Sequence, residues 1–160
     1  MARFFRRGIT RFYFLATAPA SLTAPLVTEL TAGTNLTTAV AEVAGFTFAN
    51  QPIETPDFGS AYVAKIPGPD AADDSSLTFY EDQTTNPLRT TLQKGTLGYI
   101  VMLPQGGTGA LGAPAATNKC DVFHVQVASA PREISAGNDP ARWRAEFTVL
   151  DAPSIDSALA

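Results

Sequence analysis

The acidic residues of this chain are bunched. The stretch from Glu54 to Asp82, ETPDFGSAYVAKIPGPDAADDSSLTFYED, holds seven of fifteen acidic residues and a single lysine. Carboxylates at this density can hold a hard cation or share protons in acid–base catalysis. Spacing tests the calcium reading. Framed from Asp70, an EF-hand loop takes Asp70, Asp74 and Glu81 at its first, fifth and twelfth positions. Its third position is then Ala72, and its sixth is Ser75, where the sharp turn requires glycine. A Pro67-Gly68-Pro69 turn precedes the run and a period-two strand follows it, where helices should stand. Asp70, Asp73 and Asp74 therefore read as a solvated acidic turn.

Other chemistry-bearing residues are as isolated. GTGALG (107–112) matches the dinucleotide fingerprint, but that fingerprint must open a helix whose N-terminus meets a pyrophosphate. Pro114 follows instead, with no helical periodicity. His124 is the only histidine and Cys120 the only cysteine. Four residues apart on one strand, they project about 13 Å from each other, too far to act together. No triad or zinc set can be assembled around either. The expectation is no catalytic residue, no cofactor and no metal. One cysteine also excludes an intrachain disulfide.

Composition narrows the class. Charged residues are 16% of the 160, against a globular norm of about 25%, which suggests that partners cover surface that solvated charge would otherwise occupy. Arg3, Arg6, Arg7 and Arg11 fall in the first eleven residues with no acid among them; the other 149 hold seven basic and fifteen acidic groups, a net of −8. An acidic body repels nucleic acid. The basic start (residues 1–8) reads as a subunit-contact arm. A signal peptide is disfavoured because the apolar run FYFLA has only five residues. No run is long enough to span a membrane.

The elements that must position these residues are mostly strands. GITRFYFLAT (8–17) alternates, with Phe12, Phe14 and Ala16 opposite Arg11, Tyr13 and Leu15. Residues 18–43 are ambiguous: a loop, then a short helix capped by Thr34 or Asn35 and running to Val43, or irregular structure around Gly33. VAGFTFAN (43–50), SAYVAKI (60–66) and SSLTFYED (75–82) read as strands, the last with Leu77 and Phe79 on one face. Residues 84–95 make the clearest helix. Asn86 stands as N-cap, Pro87 at the first position, Leu88 and Leu92 on one face, Lys94 in the last turn and Gly95 at the end. LGYIVMLP (97–104) reads as a strand buried on both faces. A Gly/Ala loop over 105–118, expected to be flexible, separates it from KCDVFHVQVASA and ARWRAEFTVLD, which alternate cleanly. The expected core is Phe12, Phe14, Phe46, Leu77, Phe79, Leu88, Leu92, Ile100, Phe123, Val125, Trp143 and Phe147. Residues 154–160 read as a loose tail. The whole describes one mostly β domain over 1–160, two packed antiparallel sheets as a sandwich or barrel, with one flanking helix and long loops.

The order of these elements resembles the tail tube proteins of tailed bacteriophages. The resemblance is carried by TAGTNLTTAVAEVAGFTFANQPIETPDFGS, by IPGPDAADDSSLTFYEDQTTNPLRTTLQKG and by the closing EFTVLDAP. It implies a tail-tube-like fold and a non-enzymatic virion subunit. Copies would form stacked, commonly hexameric, rings around an acidic bore. The implied partners are further copies, a tape-measure protein, a tail terminator, baseplate or tip proteins, and double-stranded DNA in transit without specific binding. No membrane partner is implied. It makes Arg3, Arg6, Arg7, Arg11, Glu29 and Leu36 candidate subunit contacts. It also makes Asp70, Asp73 and Asp74 candidates for the bore or for the arginines of the next ring. The alternatives are the tube of a contractile injection particle, a capsid decoration or connector domain, and a small-ligand-binding β-sandwich.

Overall fold

A computed structural model describes residues 3–160. In chain order the strands are β1 (Arg11–Leu15), β2 (Thr34–Asn35), β3 (Val40–Ala44), β4 (Phe48–Asn50), β5 (Ile53–Thr55), β6 (Ala64–Ile66), β7 (Asp70–Ala72), β8 (Ser75–Tyr80), β9 (Leu97–Leu103), β10 (Lys119–Ser129), β11 (Arg132–Glu133), β12 (Arg142–Val149) and β13 (Ser154–Ala158). Two short helices interrupt them, α1 (Val27–Ala32) and α2 (Pro87–Thr91).

Nine strands form one antiparallel sheet in the order β2-β1-β9-β10-β12-β8-β3, with β11 added to β12 and β13 to β10. The sheet curls strongly. Its two ends, β2 and β3, are joined by only Leu36–Ala39. A flat sheet would hold them six strand spacings apart, about 29 Å at ~4.8 Å each, whereas five residue steps reach at most about 18 Å. The connection touches both ends: Leu36 N–H donates to Phe12 O at 2.9 Å, and Tyr80 N–H donates to Ala39 O at 3.0 Å. The layers expected as two sheets are thus supplied by one sheet rolling on itself.

The core fills the inside of the roll. Alternation on β1, β8, β9, β10 and β12 sends Phe14, Leu77, Phe79, Ile100, Phe123, Val125, Val127, Trp143 and Phe147 to one cluster, joined by Leu36, Phe46 and Leu92. Phe79 stacks on Trp143 with centroids 4.7 Å apart. Phe12 and Leu88 are only partly buried at its margin. On the outer face a smaller cluster of Tyr13, Leu15, Val101, Leu103, Cys120 and Val122 is covered by Leu30 of α1 and by Leu159.

Several local expectations need correcting. The helix capped by Thr34 or Asn35 does not form; α1 ends at Ala32 and the chain turns extended. Asn35 Oδ1 accepts the Thr37 N–H two residues on, at 2.9 Å, a local turn that competes with helix. The strand expected over 43–50 is broken at Gly45 and Phe46, which both take positive φ, +75° and +57°. The helix expected over 84–95 closes at Thr91. Asn86 makes no cap to it; its Oδ1 accepts from Asp82 N–H and its Nδ2 donates to Asp82 O, both at 2.9 Å. The tail is not loose: β13 pairs with β10, and Leu159 is buried. Leu159 N–H donates to Asn118 O and Val27 N–H to Ala160 O, each at 3.0 Å.

Candidate assembly surfaces

β3 and β8 continue beyond the sheet as one long hairpin. Its pivot is built from Gly45, Phe46 and Ser75. A Cβ on Gly45 would lie 2.3 Å from Asp74 O and 2.7 Å from Ser75 Cα, so only glycine lets the two backbones cross there. Ser75 Oγ accepts the Phe46 N–H at 2.9 Å and donates to Asp73 O at 3.1 Å. Phe46, twisted into the left-handed region, turns its ring inward. It meets Phe123 edge-on at 5.2 Å and lies 6.0 Å from Phe147.

Beyond this pivot the hairpin leaves the core. β4 pairs with β7 and β5 with β6, and neither pair joins the large sheet. Thr47 to Asp73 thus form an arm; at ~3.3 Å per residue it reaches at most about 33 Å from Phe48 to Phe58. Phe48, Ile53, Phe58, Tyr62, Val63 and Ile66 are all exposed, Phe58 completely. These apolar side chains fall without the regular alternation of the core strands, and no layer covers them. Between Gly45 and Asp74 the charges are Glu54, Asp57, Asp70, Asp73 and Asp74 against Lys65. Lys65 is spent on Glu54 at 3.1 Å. Asp70 accepts from Asn50 Nδ2 at 2.9 Å and Asp73 from Thr47 Oγ1 at 2.8 Å. Asp70 and Asp73 are thus hydrogen-bonded along the arm's base, and Asp74 follows them at the pivot. Among the described residues no three His, Cys, Asp or Glu side chains come together as a metal set.

The basic start of the chain lies elsewhere. Arg3, Arg6 and Arg7 are exposed beside exposed Phe4 and Phe5; residues 1 and 2 of the expected arm lie outside the described range. Arg6, Arg7 and Arg11 line a groove of about 560 Å3 between this segment and the free edge of β3. Its floor includes Phe12, Met102 and Val40, with Glu42 and Asp121 also at its walls. The other two contact candidates serve their own subunit. Glu29 Oε1 accepts Ala20 N–H at 2.7 Å and Oε2 accepts Leu26 N–H at 2.8 Å, fixing the entry to α1. Leu36 is fully buried, so its side chain has no surface to offer.

A third surface is the outer face of β10, β12, β8 and β3. Where α1 and β13 stop, this face is bare and polar: Gln126, Arg142, Arg144, Glu146, Thr148, Ser76, Tyr80 and Glu42 share it by register. Its charges are largely paired. Arg144 Nε lies 3.3 Å from Glu133, Arg142 sits over the Tyr80 ring at 5.5 Å, and Ser129 Oγ donates to Glu146. His124 stacks on Tyr99 at 4.5 Å and pairs through Nδ1 with Asp151.

The remaining motifs are structural in place. GTGALG forms a 3-10 turn over Ala110–Gly112, not a helix N-terminus. The loop expected to be flexible is tied by buried Asn118, which the sequence reading missed. Its Oδ1 accepts from Thr108 N–H at 3.1 Å and Ala115 N–H at 2.9 Å, and its Nδ2 donates to Thr108 Oγ1. Cys120 is fully buried beneath Leu159; burial first, and Asp121 second, push its thiol up to about 11. Burial likewise raises the Tyr13 phenol.

A rolled β-domain with an unburied arm, a basic groove and a bare sheet face is the anatomy of a subunit meant to be covered by others. The family model for phage tail tube protein matches residues 1–160, and the chain belongs to that family: it is a tail tube structural subunit. No curated protein matches it. Solved structures with similar folds include a chain of the six-fold symmetrised anti-feeding prophage baseplate, at TM-score 0.63 and 11% identity, covering 94% of this chain and 95% of that one. A chain of the anti-feeding prophage tube-terminating cap matches at 0.60 and 14%, covering 99% and 95%. A chain of the PVC extracellular contractile injection system, from its extended sheath–tube complex, matches at 0.60 and 15%, covering 92% and 88%.

Proposed function

We propose that this chain assembles into stacked hexameric rings whose bore is lined by the bare outer face of β10, β12, β8 and β3. The tube conducts double-stranded DNA around a tape-measure protein and performs no catalysis. It ends on terminator and baseplate or tip proteins, is assembled in the host cytoplasm and has no membrane partner. The observation that carries this reading is the charge state of that face. Arg142 and Arg144 are outnumbered by Glu42, Glu133 and Glu146, and both arginines are engaged within the subunit. A mildly acidic wall without free cations lets a phosphate backbone slide, where exposed lysines and arginines would grip it. The free edge of β3 needs a neighbour for the same reason that any flat edge does: unpaired backbone groups invite another strand. Asp70, Asp73 and Asp74 then belong to contacts between copies, not to the bore.

Electron microscopy of purified protein, with light scattering across concentration and salt, tests the reading. Stacked rings of constant diameter are expected; a chain that stays monomeric throughout counts decisively against it. Glu133→Lys and Glu146→Lys together should leave tubes intact and make them retain DNA. The likeness to contractile-system chains favours one second reading, the tube of a contractile particle. Co-purification of a sheath protein on the tube distinguishes it.

A further inference from the structure

We propose that a pocket on the polar face of α2 and the turn after it binds a free phosphate-class oxyanion, at a place separate from the assembly surfaces above. Spacing marks this face in the sequence. Asn86, Arg89, Thr90, Gln93 and Lys94 recur at the three- and four-residue intervals of one helical face. Leu88 and Leu92 take the other side, Leu92 in the main core and Leu88 at its margin. The five polar residues and Ala130, which follows β10, line one concavity of about 520 Å3. No carboxylate lines it. Because α2 packs through its leucines on the inside of the roll, the pocket is not part of the bare outer face of the sheet.

The charges of this pocket are left uncompensated by the rest of the chain. Elsewhere in the body Lys65, Arg132 and Arg144 pair with glutamates, Arg11 and Lys119 donate to backbone carbonyls, and Arg142 sits over Tyr80. Among the described residues Arg89 and Lys94 have no carboxylate at ion-pair distance. Asp82, the nearest acid along the chain, is turned to the Thr84 and Thr85 N–H groups. Arg89 is nonetheless half-buried. Its Cζ lies 5.5 Å from the centroid of the Trp143 ring, and its Nη1 is shut off from solvent without a hydrogen-bond partner. Packing on the ring holds the guanidinium in place, and a half-buried cation without a counter-charge favours an anion from solution. The Asn86 amide is spent on Asp82, so Arg89, Gln93 and Lys94 remain as donors. A guanidinium fork beside an ammonium offers many N–H groups and no acceptor. A tetrahedral phosphate, with acceptor oxygens on every side, satisfies the fork and the point charge together.

Trp143 is the only tryptophan, and Arg89 lies over its ring, so tryptophan fluorescence reports on the pocket. Inorganic phosphate titrated into the full chain, with chloride holding the ionic strength constant, should change that fluorescence saturably. Sulfate should compete for the site. Lys94→Gln keeps Arg89 on the ring and should weaken phosphate about tenfold, as loss of one charge-assisted hydrogen bond does. Arg6→Gln with Arg7→Gln removes more charge from the N-terminal segment and should leave the affinity unchanged. Calorimetry on Arg89→Gln, which needs no fluorescence signal, should detect no phosphate binding. A response that never saturates, or one of equal affinity in the wild type and Lys94→Gln, overturns the site and leaves the tube reading untouched. A short DNA duplex should neither produce the response nor displace phosphate. Displacement by the duplex would assign the pocket to nucleic acid and overturn the free-ion reading.

Discussion

The hairpin from Val40 to Tyr80 is one chemical object on either side of its pivot and two physical ones. On the sheet side, β8 pairs in register with Trp143, Ala145 and Phe147 of β12, and Leu77 and Phe79 are fully buried. On the arm side, the large apolar side chains of Phe48, Ile53, Phe58 and Ile66 stand in water. Strand pairing itself cannot account for the difference, since both halves are hydrogen-bonded ladders. What differs is a second layer. The sheet half has one because the roll closes over it, and the arm half waits for one from outside. Stability and assembly should therefore be separable by mutation, with the pivot as the boundary.

The largest expected effect lies where the roll's outer face is sealed. Deleting residues 154–160 removes β13 and Leu159 and opens the cluster of Val101, Cys120 and Val122. A buried leucine lost to a cavity costs about 2–5 kcal/mol, and the lost strand adds to it. The sum approaches the whole stability of a domain, about 5–15 kcal/mol. Unfolding at room temperature or a greatly lowered melting temperature is expected. Thiol labelling reads the same event locally: Cys120 should resist alkylation at mildly basic pH in the intact chain, its thiol being both covered and raised to about 11, and react at once in the truncated one.

Next come the pivot residues. Phe46→Ala should cost about 3–5 kcal/mol, as for other buried aromatics, because its ring fills the space between Phe123 and Phe147. Chemical denaturation measures this. Gly45→Ala should cost somewhat less, on the order of 1–3 kcal/mol for forced left-handed backbone, raised by the overlap of the new Cβ with Asp74 O. If Gly45→Ala left stability and assembly untouched, the pivot would not be the boundary claimed for it.

How much of this was legible beforehand follows from the same division. β10, β12 and the Leu77/Phe79 strand were readable because alternation on them is uninterrupted and their partners impose no unusual backbone. The sheet's closure was not, because Asn35 ends the preceding segment by a side-chain hydrogen bond to Thr37 that looks the same in sequence as a helix cap. The tail was missed for a different reason. SIDSA has little apolar content, and its partner β10 lies more than thirty residues away, so nothing local announces the pairing. The acidic cluster's poor fit to an EF-hand loop was readable from its spacing alone. That it sits on a projecting arm was not, since VAGFTFAN carries one unbroken strand pattern across a pivot where two consecutive residues take positive φ. That Leu36 is buried and Glu29 is held by its own subunit was not readable either, because an apolar or acidic residue in an ambiguous segment gives no sign of whether its own subunit already uses it.

The smallest expected change in stability is also the one that isolates the arm. Phe58→Ser with Tyr62→Ser removes two aromatic side chains from the tip, yet neither belongs to a buried cluster and Phe58 touches nothing that a fold would lose. Exposed substitutions of this kind shift stability by about 0.5 kcal/mol or less, so the denaturation midpoint should coincide with that of the wild type. Assembly should not survive as well. Burying an aromatic side chain contributes about 1.5–3 kcal/mol, and each 1.4 kcal/mol is tenfold in an equilibrium, so loss of two should weaken the contact by a hundredfold or more. Sedimentation of the variant beside the wild type measures it. A variant that folds and assembles unchanged would mean the arm's apolar face is covered by no neighbour. The contrast between the two halves of the hairpin would then be one of exposure alone, without consequence for the tube.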